Sequence, residues 1–152
     1  MWKKIVLLML ALGCGAVTVS APRAAAAQSQ GLRVVAASLL DFERGVSWAA
    51  VSPAWRGARG AWLQQVRAAG SPRELAAATV ALETAMGWPG VQDSWRQERP
   101  AWVQAMAAAT TEAEVARGLV RLEAVTKWEA MNAGWRRRRA PWLARLAPVA
   151  AP

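Results

Sequence analysis

Trp88-Pro89-Gly90-Val91-Gln92-Asp93-Ser94-Trp95-Arg96-Gln97-Glu98-Arg99-Pro100-Ala101-Trp102 decides the fold. Three tryptophans stand seven apart, with one arginine directly after the second and another three residues later. The arrangement returns 40 residues earlier as Trp48, Trp55, Arg56, Arg59 and Trp62, and 40 residues later as Trp128, Trp135, Arg136, Arg139 and Trp142. Every tryptophan except Trp2 belongs to the array. Two further positions recur unchanged, Ala36/Ala76/Ala116 and Glu43/Glu83/Glu123. A fixed period near 40 is the mark of stacked helical units, each unable to bury its own apolar face alone.

Within a unit, the first half is the more regular. Val35, Leu39, Phe42 and Val46 lie on one helical face, and Leu75, Thr79, Leu82 and Met86 repeat it, as do Val115, Leu119, Leu122 and Thr126. First helices are expected near 32–48, 72–88 and 112–128. Ser71-Pro72-Arg73-Glu74 is a start signal, and Thr111 with Glu114 offers a capping box. In the second half, Pro53, Pro89, Pro100 and Pro141 with Gly57, Gly60, Gly90 and Gly134 interrupt the pattern. Proline disfavours helix before it and opens a new one well. A short helical turn is therefore expected around Trp55, Trp95 and Trp135, with a second helix from about 60, 100 and 140. One kinked helix is the alternative.

The expected fold is all-α: three tandem helical-hairpin repeats packed as a short array. The units run 32–70, 71–110 and 111–147, the third a truncated cap. A leader at 28–31 precedes them and a frayed tail at 148–152 follows. Residues 1–27 read as a signal peptide: a basic start at Lys3-Lys4, an apolar run from Ile5 to Val19, and Ala24–Ala27 before a cleavage point. The apolar run is short for a membrane span, which needs about 20 residues. Cys14, the only cysteine, allows a lipoprotein reading as a second option.

Loss of residues 1–27 removes Lys3, Lys4 and Arg23 and lowers the net charge from +9 to +6. The remaining positive charge is arginine except for Lys127, so it persists at any ordinary pH. Such a balance attracts anionic envelope components. Nucleic acid shares that chemistry but is a poor match for an exported chain.

Catalysis has few groups to use. The chain has no histidine and no tyrosine, and the export reading leaves no cysteine. His or Cys metal ligation is excluded, and a serine nucleophile would lack its usual base. Neither a cofactor nor a metal is expected, and no phosphate-binding glycine loop occurs.

The tryptophans Trp48, Trp55, Trp62, Trp88, Trp95, Trp102, Trp128, Trp135 and Trp142 are expected to form the repeat core; an exposed aromatic ladder is the other reading. Glu43–Arg59, Glu83–Arg99 and Glu123–Arg139 are expected staples, because a guanidinium beside indoles can satisfy a half-buried carboxylate bidentately. Arg136, Arg137, Arg138 and Arg139 form the densest charge run, either a solvated face or a patch for an anionic partner.

Trp102, Met106, Ala109, Thr111 and Glu114, followed by Leu119, Leu122 and Glu123, resemble the tryptophan and Leu-Glu pattern of the WHIM motif of ISWI-type chromatin-remodelling subunits. The resemblance spans about one unit and implies an all-helical module. The signal peptide departs from the nuclear setting of that family, and no functional residue is carried over. The function expected from the residues is an exported, non-enzymatic binding or scaffold protein for a protein or anionic envelope partner. The alternative is peripheral binding of glycan or anionic membrane through a Trp/Arg surface.

Overall fold

The computed structural model describes residues 28–152; the expected signal peptide, with Cys14, lies outside the described residues. Helix starts follow local chemistry. Ser29 accepts the N–H of Leu32 and opens α1 (Gln30–Gly45). Ser71 and Glu74 form a reciprocal capping box with Pro72 in the first turn of α3 (Pro72–Met86). Thr111 and Glu114 do the same for α5 (Glu112–Val125). These caps satisfy N–H groups that a helix leaves free at its start. The second helices are α2 (Pro53–Ala68), α4 (Trp95–Ala108) and α6 (Trp135–Ala150). A single 3-10 turn joins the two helices of each unit, at Trp48–Ala50, Trp88–Gly90 and Trp128–Ala130.

The fold is all-α and built from three helical-hairpin units. Four boundaries differ from the sequence expectation. The short turn falls at the first tryptophan of each unit, and Trp55, Trp95 and Trp135 already belong to the second helix. Pro100 and Pro141 sit inside α4 and α6, on exposed positions. A proline there removes one hydrogen bond on the solvent side, where a helix can bend. Residues 30 and 31 are helix, not leader. The helix of unit three runs to Ala150, so 148–150 are not frayed: Val149 and Ala150 pack on the core, and Arg117 donates to the Ala150 carbonyl. Unit three is no truncated cap, since α6 has 16 residues, as does α2.

That full-length last helix changes the architecture. α1, α3 and α5 pack on one another at the centre. Each second helix lies between its own first helix and that of the next unit: α2 on α1 and α3, α4 on α3 and α5, and α6 on α5 and α1. The array closes into a ring with approximate threefold symmetry. Three indoles form the joints. Trp62 Nε1 donates to the Ala78 carbonyl at 2.9 Å, Trp102 to Gly118 at 2.9 Å, and Trp142 to Ser38 at 2.8 Å. The acceptor residues are small because the neighbouring helix comes close; a Cβ on Gly118 would lie 2.1 Å from Met106 Sδ.

Backbone bonds repeat the closure at one end. Ser52 N donates to Ala85 O, Gln92 N to Val125 O, and Asn132 N to Gly45 O. Ser47 N reaches Ala130 O and Lys127 N reaches Gly90 O, so the three turns meet there. The symmetry fails at Gly87, whose φ of 61° lies in the left-handed region and whose N–H turns back to Glu83 O. Among the described residues, β-pairing is limited to two isolated antiparallel bridges, Val46 with Met131 and Val91 with Thr126.

Candidate binding surface at the turn end

One constellation recurs in every unit and uses most of the invariant residues. The recurrent glutamate leaves the last turn or two of the first helix and is buried, at 6%, 3% and 6% exposure for Glu43, Glu83 and Glu123. The arginine of the second helix meets it with two parallel N–H donors. Arg59 Nε and Nη2 lie 2.5 and 2.8 Å from Glu43, those of Arg99 lie 2.7 and 2.9 Å from Glu83, and those of Arg139 lie 2.6 and 3.0 Å from Glu123. In units two and three the middle indole adds a third donor: Trp95 Nε1 to Glu83 at 2.9 Å and Trp135 Nε1 to Glu123 at 3.2 Å. The hydrogen bonds to these carboxylates raise Arg59, Arg99 and Arg139 above the ordinary arginine value, although burial acts in the opposite sense. The guanidiniums stay charged at any attainable pH.

Six of the nine expected core tryptophans are buried. Trp55–Trp62, Trp95–Trp102 and Trp135–Trp142 pack edge to face at centroid distances of 5.3, 5.3 and 5.4 Å. Trp48, Trp88 and Trp128 are not core. They are 51%, 42% and 46% exposed. Each lies in the turn, past the end of the first helix, where the apolar face of neither helix includes it. Their strict recurrence gave them the same appearance in sequence as the buried ones. The signal that separates them is position: each follows the end of one helical pattern and precedes the next.

Two guanidiniums brace each outer indole. Arg56 and Arg59 lie 5.8 and 5.4 Å from the Trp48 ring centre. Arg96 and Arg99 lie 4.8 and 5.9 Å from that of Trp88. Arg136 and Arg139 lie 5.4 and 5.9 Å from that of Trp128. All are within cation–π range. One arginine of each pair is fixed from below by the buried glutamate, while Arg56, Arg96 and Arg136 remain exposed.

The four arginines from Arg136 to Arg139 have different surroundings. Successive helical positions turn by about 100°, so Arg136 and Arg139 share the Trp128 side while Arg137 and Arg138 face elsewhere. Arg136 serves Trp128 and Arg139 serves Glu123. Arg138 is half-buried beside Trp135 and Asn132, and its Nε is buried without a hydrogen-bond partner. Arg137 alone of the four is exposed without an indole beside it among the described contacts.

The hollows beside the outer indoles are small, about 140 Å³ at Trp48 and about 220 Å³ at Trp128. Enclosed ligand sites commonly reach about 300–1,000 Å³. A roomier cleft of about 610 Å³ opens at the other end, between Gly31, Val34, Glu112 and Val149. The Ser29 hydroxyl bonds the Glu112 carboxylate and holds it below the usual carboxylate range. Both residues line that cleft, and among the described residues no group of three His, Cys, Asp or Glu could hold a metal ion.

Residues 29–87 match the family model of a domain of unknown function, DUF8799. No curated protein and no solved structure matches the chain. The matched span covers α1, α2 and α3, which is one unit plus the helix that receives the Trp62 indole. It holds one complete Glu–Arg–Trp constellation and one complete joint, and over that span the chain is similar to the DUF8799 domain.

Proposed function

We propose that the protein is an exported, non-enzymatic binding protein, a closed three-unit scaffold that presents the Trp48, Trp88 and Trp128 end to an anionic partner. One observation carries this reading: three large apolar rings remain half exposed in equivalent places, each held in position by a buried ion pair. A ring needed only for packing would be buried, as the other six are. Fixing an exposed indole beforehand lowers the ordering cost of binding. The scarcity of nucleophile and base pairs supports a role without chemistry on a substrate.

The test is retention on an envelope fraction. The chain from Gln28 is expected to sediment with the fraction, and a Trp48→Ala, Trp88→Ala, Trp128→Ala variant with an unchanged melting midpoint is expected to stay in the supernatant. Equal retention of the two proteins would overturn the assignment of the face. N-terminal sequencing of protein recovered after export tests the other half: a first residue other than one near Gln28 removes the signal-peptide reading.

A further inference from the structure

We infer that the partner of the turn end is the surface of an anionic lipid bilayer. The inference rests on the reading of that end as a binding face and names its occupant. What the three copies share is decisive. Each repeats an exposed indole and an exposed guanidinium, Arg56, Arg96 or Arg136, at 4.8–5.8 Å from the ring centre. The second guanidinium, Arg59, Arg99 or Arg139, and the glutamate that anchors it are also shared, but the residues that follow the indole are not. The two residues after the outer tryptophan are Ala49-Ala50 in one copy, Pro89-Gly90 in the next and Glu129-Ala130 in the third. A sugar needs a site of defined shape, with donors and acceptors placed around its hydroxyls. The donors and acceptors that do recur, on the second arginine and the glutamate, are spent on each other, and the hollows of about 140 and 220 Å³ at Trp48 and Trp128 fall below the usual range of enclosed ligand sites.

A bilayer asks only for what does recur. Indoles settle at the boundary between headgroups and acyl chains, and arginines attract anionic headgroups. The third turn is hydrogen-bonded to both of the others, through Ser47 N to Ala130 O and Lys127 N to Gly90 O, so the three indoles stand around one end of the ring and meet a surface together. Charge at that end is complementary. Arg56, Arg96, Arg136 and Arg137 are exposed there and Lys127 is half-buried, against the exposed Asp93 and Glu129. No helix among the described residues is long and apolar enough to cross a membrane, and the attachment described here is peripheral.

The experiment is flotation of the chain from Gln28 to Pro152, which carries all six helices and the closed ring. Three probes are used: vesicles of phosphatidylcholine, vesicles of phosphatidylcholine with phosphatidylglycerol, and immobilised heparin as a sulfated glycan. Flotation with the anionic vesicles, absent with the neutral ones and weakened by salt, is expected. Lipids quenched at the headgroup boundary should reduce indole emission. An Arg56→Gln, Arg96→Gln, Arg136→Gln variant should bind anionic vesicles about a hundredfold more weakly. An Arg67→Gln, Arg73→Gln variant, altered at the opposite end, should bind as the parent does. Failure of the parent chain to float with anionic vesicles overturns the inference. Heparin retention that the arginine variant loses, in that case, keeps the binding face and gives it a glycan. Binding to neither vesicle nor heparin removes both readings. Equal flotation of the arginine variant and the parent also overturns the inference.

Discussion

Trp142 Nε1 donates to the backbone carbonyl oxygen of Ser38 at 2.8 Å, across 104 positions of chain. The bond joins the last helix to the first. Around it, Arg145 reaches the Ser38 hydroxyl at 3.1 Å and the Asp41 carboxylate at 2.5 Å, and Phe42 packs against the Trp135 and Trp142 rings. The equivalents of Arg145 are Gln65 and Ala105, so the joint without a covalent link has an ion pair at this position that the other two lack.

Trp142→Phe keeps an aromatic ring but loses the N–H donor and part of the indole's volume. The Ser38 carbonyl, inside α1, keeps its helical donor but loses the indole's, and the smaller side chain leaves a gap in the core; together these cost about 1–3 kcal/mol. Trp62→Phe should cost a similar amount, because it breaks the same bond at a joint within the chain. Urea unfolding of the two variants checks this. In an open array Trp142 would sit at a free end, and its variant would be clearly the milder.

The Glu83–Arg99 pair is asymmetric, since the glutamate side chain is 4% exposed and the arginine 31%. Arg99→Ala strands a buried carboxylate and should destabilise by about 3–5 kcal/mol. Glu83→Ala lets the arginine return to water but leaves the buried Trp95 N–H without its acceptor; it should cost less than Arg99→Ala while still lowering the melting midpoint clearly. The double variant should fall between the parent and Arg99→Ala. A double variant worse than Arg99→Ala would mean that the pair is not the main partner of either group.

Glu114 accepts the N–H groups of Thr110 and Thr111 at 2.8 and 2.9 Å. Those backbone bonds, led by Thr110, hold its carboxyl below the usual carboxylate range. A carboxylate favoured in the folded state adds stability above the unfolded pKa, about 4.3, and loses it as pH falls through the folded value. The melting midpoint of Glu114→Ala should therefore lie below that of the parent at neutral pH. The gap should narrow below about pH 4. A gap that is constant down to acid pH would exclude ionisation as its source.

Acrylamide quenching should resolve two populations of indole in the chain from Gln28. Trp48, Trp88 and Trp128 are the accessible ones, and the other six are at most 7% exposed. Substituting the three by phenylalanine should shift the emission to the blue and remove the readily quenched component. Unchanged quenching would place the outer indoles in the interior.

The period of 40 and the apolar faces from Val35, Leu75 and Val115 made the first helices and the all-α class legible in the sequence. The Glu–Arg pairs were legible for a local reason: both residues recur with the period, and a carboxylate at the edge of an apolar face needs a donor. Two features were hidden. Trp48, Trp88 and Trp128 recur as strictly as the buried rings, and recurrence alone does not tell a packing demand from a surface demand. Pro100 and Pro141 made the second helices look late, because proline propensity is local. Here the demand that Trp95, Arg99 and Trp102 share one face overrides it. Closure was hidden because the contacts of Trp142 with Ser38 look, in one dimension, like the ends of a chain.

Closure also limits the number of copies. Each unit gives an indole to the next and takes one from the last, a head-to-tail interface with a rotation of about one third of a turn. An open solenoid with such an interface could gain a unit at its end. This one cannot, because the Trp142 indole that a fourth unit would receive is already bonded to the Ser38 carbonyl. The protein is in effect a cyclic trimer whose protomers share one backbone, and its size is set by an angle between neighbours.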